Sequence, residues 1–344
     1  LYYSALPEQS GTSGQAEKSR QRQVMKKALF TLVLVLLVLS PLAAGELAAR
    51  WIGLGEPIVY STNAAYRYAP VPNQQVVRRR GASVTVGPEG LRGLEPWSGP
   101  ADHRILFVGD SVTWGGTNTD DDKTFAHLTC TQLEARLSRN FVCGNAGVNG
   151  YGTDNMIARL RYDPELQRAD TVVVTLISVD PIRGTSDLRA AHFFSRHPTG
   201  PLRGVWEVAA FGAFQLAGRL RWKGDAYDST LDVPVAKEAL QRLYAELRRL
   251  EQAGKSVLIV FSPHKDEFFG DADELDAQVR ADLAGSGFGL LDLTEPMRAE
   301  VERGVYYDNV HLNELGHALY GAWIADALSP LLIAGKASAA PAVQ

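Results

Sequence analysis

Short apolar runs alternate with amphipathic segments along most of this chain, and that alternation limits its fold more than any other feature. The runs are Ile105–Val108, Phe141–Cys143, Thr171–Ile177, Ser256–Phe261 and Phe288–Leu293. Each is too short for a stable helix and rich in Val, Ile, Leu and Phe, which suits strands buried on both faces of a parallel sheet. Between them, Thr124–Leu137 sets Phe125, Leu128, Leu133 and Leu137 on one side, and Val235–Leu250 carries Leu240, Leu243, Tyr244, Leu247 and Leu250 at helical spacing. Pro234 suits the first turn of that second helix and Gly254 its end. Asn313 is a good N-cap for a last helix running to about Leu332. The pattern predicts an α/β protein, a three-layer α/β/α sandwich around a mostly parallel five-stranded sheet.

The domain so predicted occupies residues 101–333, and 344 residues leave room for an anchor and insertions beside it. Residues 51–100 hold Pro57, Pro70, Pro72, Pro88 and Pro96, with a short strand or hairpin expected at Ala82–Val86. They read as an N-terminal extension packed on the main domain. Residues 181–231 interrupt the rhythm as a long insertion. It holds Phe193, Phe194, Trp206, Phe211, Phe214, Trp222 and Tyr227 among Arg183, Arg189, Arg196, Arg203, Arg219 and Arg221. Two readings fit it: a cap over the active site, or a peripheral helical pair. Residues 334–344 are expected to be a disordered tail.

The N-terminal quarter points to a membrane. Residues 1–24 are polar and read as a disordered tail, or as an upstream extension of a gene that starts at Met25. Residues 25–50 begin Met25-Lys26-Lys27 and continue into an uncharged stretch, Ala28–Gly45, at the lower length limit for a span. Lys18, Arg20, Arg22, Lys26 and Lys27 precede it, which orients that side to the cytoplasm and the rest to the periplasm or exterior. An uncleaved anchor is the expectation; a signal peptide cut near Ala43-Ala44-Gly45 is the alternative. A net charge of −4 argues against a nucleic-acid binder. Two cysteines, Cys130 and Cys143, rule out a disulfide framework or a cysteine-rich zinc site. In an oxidising compartment they are open to pairing, or to burial as two small hydrophobes.

Three segments carry chemistry. In Ile105–Gly115 a buried strand ends at Gly109, and Ser111 follows just beyond its carboxyl end, the edge where open α/β sheets bind ligands. A serine there presents its hydroxyl to a substrate and its N–H to a developing oxyanion. The hydroxyl needs a base. Asp308-Asn309-Val310-His311 offers one, an imidazole with a carboxylate three residues earlier to hold its tautomer. Asn145–Gly152 follows the second predicted strand and reaches the same edge, where glycines permit close backbone approach; the Gly150 N–H is a candidate second oxyanion donor.

With these blocks in this order, residues 88–332 resemble the GDSL/SGNH hydrolase superfamily. The resemblance implies a flavodoxin-like fold and an esterase, lipase, deacetylase or acyltransferase that needs no cofactor or metal. It carries over Ser111 as nucleophile and oxyanion donor, His311 as base, Asp308 as orienting acid and Gly150 as oxyanion donor. Asp110, Asn149, Val179 and Asp180 then border the substrate. Gly90-Leu91-Arg92-Gly93 resembles exported, anchored members, many of them linked to envelope polysaccharides. One block departs from the family's Gly-x-Asn-Asp. Here it reads Ile177-Ser178-Val179-Asp180, and valine cannot donate the asparagine's hydrogen bond. Ser178, on the opposite face of a continuing strand, is a poor substitute; Asn149 and the insertion supply other candidates. The expected function is a serine esterase or deacetylase acting on an envelope glycan or lipid. An O-acyltransferase using the same serine and a non-catalytic binding protein keeping the fold are the alternatives.

Overall fold

The computed structural model describes residues 12–78, 81–188, 194–221, 229–270 and 274–339. Side chains at 12–16, 215, 217–221, 229–231 and 334–339 are outside the description. Helix α1 (Thr12–Trp51) leads into two antiparallel hairpins, β1 (Tyr60–Asn63) with β2 (Arg67–Pro70), and β3 (Gln74–Val77) with β4 (Ser83–Val86). The domain then runs β5 (His103–Val108), α2 (Ser111–Trp114), α3 (Phe125–Leu137), β6 (Phe141–Asn145), α4 (Thr153–Tyr162) and β7 (Thr171–Leu176). It continues through α5 (Asp180–Arg183), α6 (Arg203–Arg221), α7 (Ser229–Gln252), β8 (Ser256–Phe261), α8 (Glu274–Ala284), β9 (Gly289–Asp292), α9 (Thr294–Glu300) and α10 (Glu314–Ala339).

Among the described residues, five strands form one sheet in the order β6-β5-β7-β8-β9, every pair parallel. This is the flavodoxin-like order, whose direction reverses between β5 and β7. The period-2 alternation of strands divides the core in two. Ile105, Phe107, Val173, Leu258 and Val260 pack with buried residues of α3 and α10. Leu106, Val108, Val172, Val174 and Ile259 pack with those of α4, α7 and α8. The predicted three layers are therefore present.

The edge strand β6 is covered on its open side. Arg92 bridges β4 and β6, its N–H donating to Asn145 O at 2.9 Å. Its guanidinium is buried against Asp121 at 2.8 Å and donates to the carbonyls of Trp114, Gly116 and Thr119. The Gly90–Gly93 stretch thus ties the extension to the loop behind Ser111. Cys130 of α3 is disulfide-bonded to Cys143 of β6, which closes the question their sequence left open.

Several boundaries differ from expectation. The disordered tail expected over 1–24 is helical from Thr12 and continuous with the apolar stretch, because Gln, Ala, Glu, Lys and Arg are good helix formers. The tail expected from 334 begins inside α10, which runs to Ala339 on an alanine-rich sequence. Helix α7 starts at Ser229, so Pro234 lies inside it rather than in its first turn. Of the insertion residues named above, Arg189, Phe193, Trp222 and Tyr227 lie outside the described residues, as do positions 1–11 and 340–344. Helix α6 packs on the last turns of α1. Glu46 accepts from Val205 N at 2.9 Å, Arg50 donates to Pro201 O at 3.2 Å, and a side chain at Gly204 would strike Ala49. The Glu17–Trp51 part of α1 is long and apolar enough to cross a membrane, by length and composition.

Candidate active site

A tight strand-to-helix turn presents Ser111. Gly109 follows β5 at a point where a Cβ would meet the Thr113 hydroxyl and the Thr175 carbonyl, so only glycine lets the chain fold over this closely. Asp110 then caps α2, its Oδ1 accepting from Val112 N at 2.8 Å. On the neighbouring strand, Asn145 Nδ2 donates to Thr113 O and Val148 N donates to Gly109 O. Gly147 sits against the backbone of Trp114 with no room for a side chain. Asn149 and Gly150 are thereby held at the carboxyl edge beside Ser111, with Gly150 at φ 75°.

The other half of the site comes from the loop before α10. His311 Nε2 lies 2.8 Å from Ser111 Oγ, and His311 Nδ1 lies 2.7 Å from Asp308 Oδ2. A carboxylate only accepts, so Nδ1 carries the proton and Nε2 is free to accept from the serine hydroxyl. The other carboxylate oxygen accepts from the backbone N–H of Val310 and His311. These bonds and the imidazole outweigh the cost of desolvation and hold the Asp308 carboxyl well below its ordinary range. Burial disfavours charge on His311, but the bond to Asp308 and its negative charge win, with Asp110 adding to them, and the imidazole pKa is raised.

A second loop clamps this one. Lys265 N donates to Asn309 O at 2.7 Å, Asp266 N donates to Asn309 Oδ1, and Asn309 Nδ2 donates to Asp266 Oδ2. Tyr306 donates from its hydroxyl to Pro263 O at 2.8 Å. These positioning contacts escaped sequence reasoning, because nothing in the local order of residues 263–266 marks a partner more than forty positions away.

Asp110 and Asp180, expected to touch substrate, turn inward instead. They are 1% and 0% exposed, and both receive Arg183 Nη1, at 2.9 and 2.8 Å. Burial and the neighbouring Asp110 charge push the Asp180 pKa well up, while Arg183 opposes them. Their geometry therefore suits positioning Ser111 rather than contacting substrate. Arg183 is the residue that sequence reading missed in this role; its place three residues after Asp180 on one helical turn was the available signal. Val179 is half-buried and packs against apolar residues of both core clusters. Ser178 does not sit on a continuing strand, since β7 ends at Leu176; its hydroxyl lies 3.4 Å from His264 Nδ1. Asn149 donates toward the Tyr60 hydroxyl at 3.5 Å while its carbonyl accepts from Tyr68.

Among the described residues one set, His264, Glu267 and Asp276, brings three metal-capable atoms within 4.8 Å. Arg280 lies 3.5 Å from Glu267, and Asp276 lies 3.6 Å from His264, which explains the set as an internal ion-pair cluster.

A strand-end serine held 2.8 Å from an imidazole on this sheet points to a class, the serine ester hydrolases. Within that class the chain belongs to the GDSL-like Lipase/Acylhydrolase family, whose model matches residues 107–319. Among curated proteins none matches. Similar solved structures include a two-domain esterase active on acetylated mannans, co-crystallised with mannopentaose. It is 16% identical, with 67% of this chain and 49% of that chain covered and a TM-score of 0.41; the chain thus spans about half its length. A catalytic mutant of an acetylxylan esterase from Geobacillus stearothermophilus is 12% identical, covering 66% and 94% at a TM-score of 0.44. A lipase/acylhydrolase from Enterococcus faecalis is 17% identical, covering 67% and 96% at 0.40.

Proposed function

We propose that this esterase works through a Ser111–His311–Asp308 triad, and that its substrate is an acyl ester at a cell envelope. The observation that carries the triad is the unbroken series of contacts from hydroxyl to imidazole to carboxylate, 2.8 and 2.7 Å long. Ser111 Oγ attacks the ester carbonyl while its proton passes to His311 Nε2. The tetrahedral oxyanion then lies toward the N–H groups of Ser111 and Gly150, at the edge both share. As the intermediate collapses, the carbon–oxygen bond to the alcohol breaks, and His311 returns the proton to the departing oxygen. Water then attacks the acyl carbon while its proton passes to His311, and the bond to Ser111 Oγ breaks as His311 returns that proton to it, releasing the acid. Asp308 holds the imidazole tautomer and stabilises its charged form in both halves.

Arg183 fixes the Asp110–Asp180 pair under the nucleophile, so the turn that aims Ser111 is braced from below. At Val179, where relatives carry a donor asparagine, one oxyanion contact is missing, which predicts a slower chemical step by about 10²–10³.

The apolar stretch of α1 and the basic residues before it support a membrane-anchored protein with its catalytic domain on the periplasmic or exterior side. The Cys130–Cys143 bond fits such an oxidising compartment. On this reading residues 25–50 anchor, 51–100 form an extension and 101–333 the hydrolase domain, with the 181–231 insertion beside the site.

The test is hydrolysis of a panel of acyl esters by wild type and Ser111→Ala. The variant should lose at least about 10³ in kcat and all labelling by a fluorophosphonate. Equal rates in the two proteins would remove Ser111 from the mechanism.

A further inference from the structure

A cavity of about 410 Å³ lies beside the site. Its lining is of two kinds. Asn118, Asn149 and Tyr307 belong to the loops of the site. Asn149 directly precedes Gly150, and Tyr307 precedes Asp308 and donates from its N–H to His311 O at 2.7 Å. Leu54, Val208 and Phe211 come instead from the segment after α1 and from α6. The Arg78–Glu207 pair in the wall is buried and mutually neutralised, each side chain 7% exposed. It leaves that part of the lining without a net charge facing the cavity.

We propose that this cavity is an acyl-chain pocket, and that the preferred substrate is the ester of a medium- or long-chain acyl group rather than an acetate. The proposal deepens the esterase reading and rests on it. Three features support it. The volume falls in the ordinary range for small-molecule sites, about 300–1,000 Å³, and is far larger than an acetyl group needs. The polar part of the lining comes from the loops that carry Gly150 and Asp308, and the apolar part from the segment after α1 and from α6. That apolar part is built where α6 packs on the last turns of α1, the helix apolar enough to cross a membrane. Trp51 and Trp206 are exposed on the same two helices, in keeping with the place of tryptophan at membrane–water interfaces. A chain that partitions into a bilayer would thus meet the apolar part first, and its ester would arrive at Ser111 last. The bonds made and broken are those already described; the cavity selects which acyl group enters them. Each methylene moved from water into such a space is worth about a fourfold gain in kcat/KM until the space is filled.

The experiment uses the full chain in detergent and two phosphonofluoridates that share an ethoxy group and differ in a methyl or octyl chain on phosphorus. The octyl reagent should inactivate at least about tenfold faster, and p-nitrophenyl octanoate should exceed the acetate in kcat/KM by a similar factor. Val208→Trp fills the cavity from an exposed face of α6, and Val208→Phe fills it partly. The first should cut the octyl-over-methyl ratio at least about fivefold, and the second by an intermediate amount. Equal rates for both reagents, or a chain-length preference untouched by both variants, would overturn the pocket while leaving the esterase standing. Failure of both reagents to label the protein, with Ser111→Ala as active as wild type, would remove the esterase reading and the pocket together.

Discussion

Burial around His311 penalises its charged form, while the Asp308 carboxylate at 2.7 Å and the nearby Asp110 favour it, and the second influence is the larger. In the proposed mechanism His311 takes the serine proton only when neutral, and its folded pKa lies above the ordinary value of about 6.5. Activity should therefore be full on the alkaline side and fall as pH drops through a midpoint above 6.5, read as the acid limb of kcat/KM. In Asp308→Asn the amide would favour the wrong tautomer. That variant should lower kcat by about 10⁴ and move the acid limb downward, as measured in a pH–rate profile. An unshifted limb would mean that Asp308 does not govern His311. Arg183 pulls the other way, its positive charge lowering the His311 pKa across the site. The residue that braces the nucleophile turn thus also tempers the base.

At the scale of elements, the sheet was legible in the sequence because each strand is a dense apolar run. Thr171–Leu176 is buried at every position, as a central parallel strand must be. The ends of helices were less legible. Nothing in the polar residues after Thr12 distinguishes a tail from the first turns of a long helix, and only continuity with α1 decides it. The site divides in the same way. Ser111, Asp308 and His311, which the structure brings into contact, sit in short local patterns. The Asn309–Asp266 clamp and the Arg92–Asp121 pair depend on distant chain segments meeting, which no local pattern records. The disulfide lies between these cases, since the two cysteines were visible but their pairing depended on α3 lying against β6. It closes a loop of 13 residues, worth about 3 kcal/mol by chain entropy. Cys143 pairs in register with Ile105, three residues short of the strand end at Val108 that leads to Ser111. Replacing both cysteines by alanine should lower Tm by about 6–12 °C while leaving kcat of the folded protein nearly unchanged, measured by thermal melts beside ester hydrolysis at a lower temperature. A matching loss of kcat would tie the bond to the site.

For the molecule as a whole, the open question is whether α1 is a tether or a part of the domain. Its exposed apolar middle, Leu29 to Leu39, suits a bilayer, but its last turns do not behave as a leash. Glu46 and Ala49 are buried against α6. Glu207 of α6 in turn binds Gly55 N at 2.7 Å and pairs with Arg78. The end of α1, the extension and α6 therefore form one packed junction beside the apolar lining of the cavity. Two trimmed chains separate the two roles. A chain beginning at Ser40 removes the span but keeps the junction, and Ser40-Pro41 is a favourable helix start, a capping serine before a proline at the first position. It should leave the membrane fraction and keep its Tm. A chain beginning at Gly53 also loses Glu46 and Ala49, and with them the charge-assisted bond from Val205 N to Glu46. Its Tm should fall relative to the first chain, as read in thermal melts of the two. Its hydrolysis of long-chain esters should fall more than its hydrolysis of short ones, because the cavity wall loses its support. Equal melting temperatures for the two chains would make α1 a simple tether, and equal chain-length profiles would detach the junction from substrate choice.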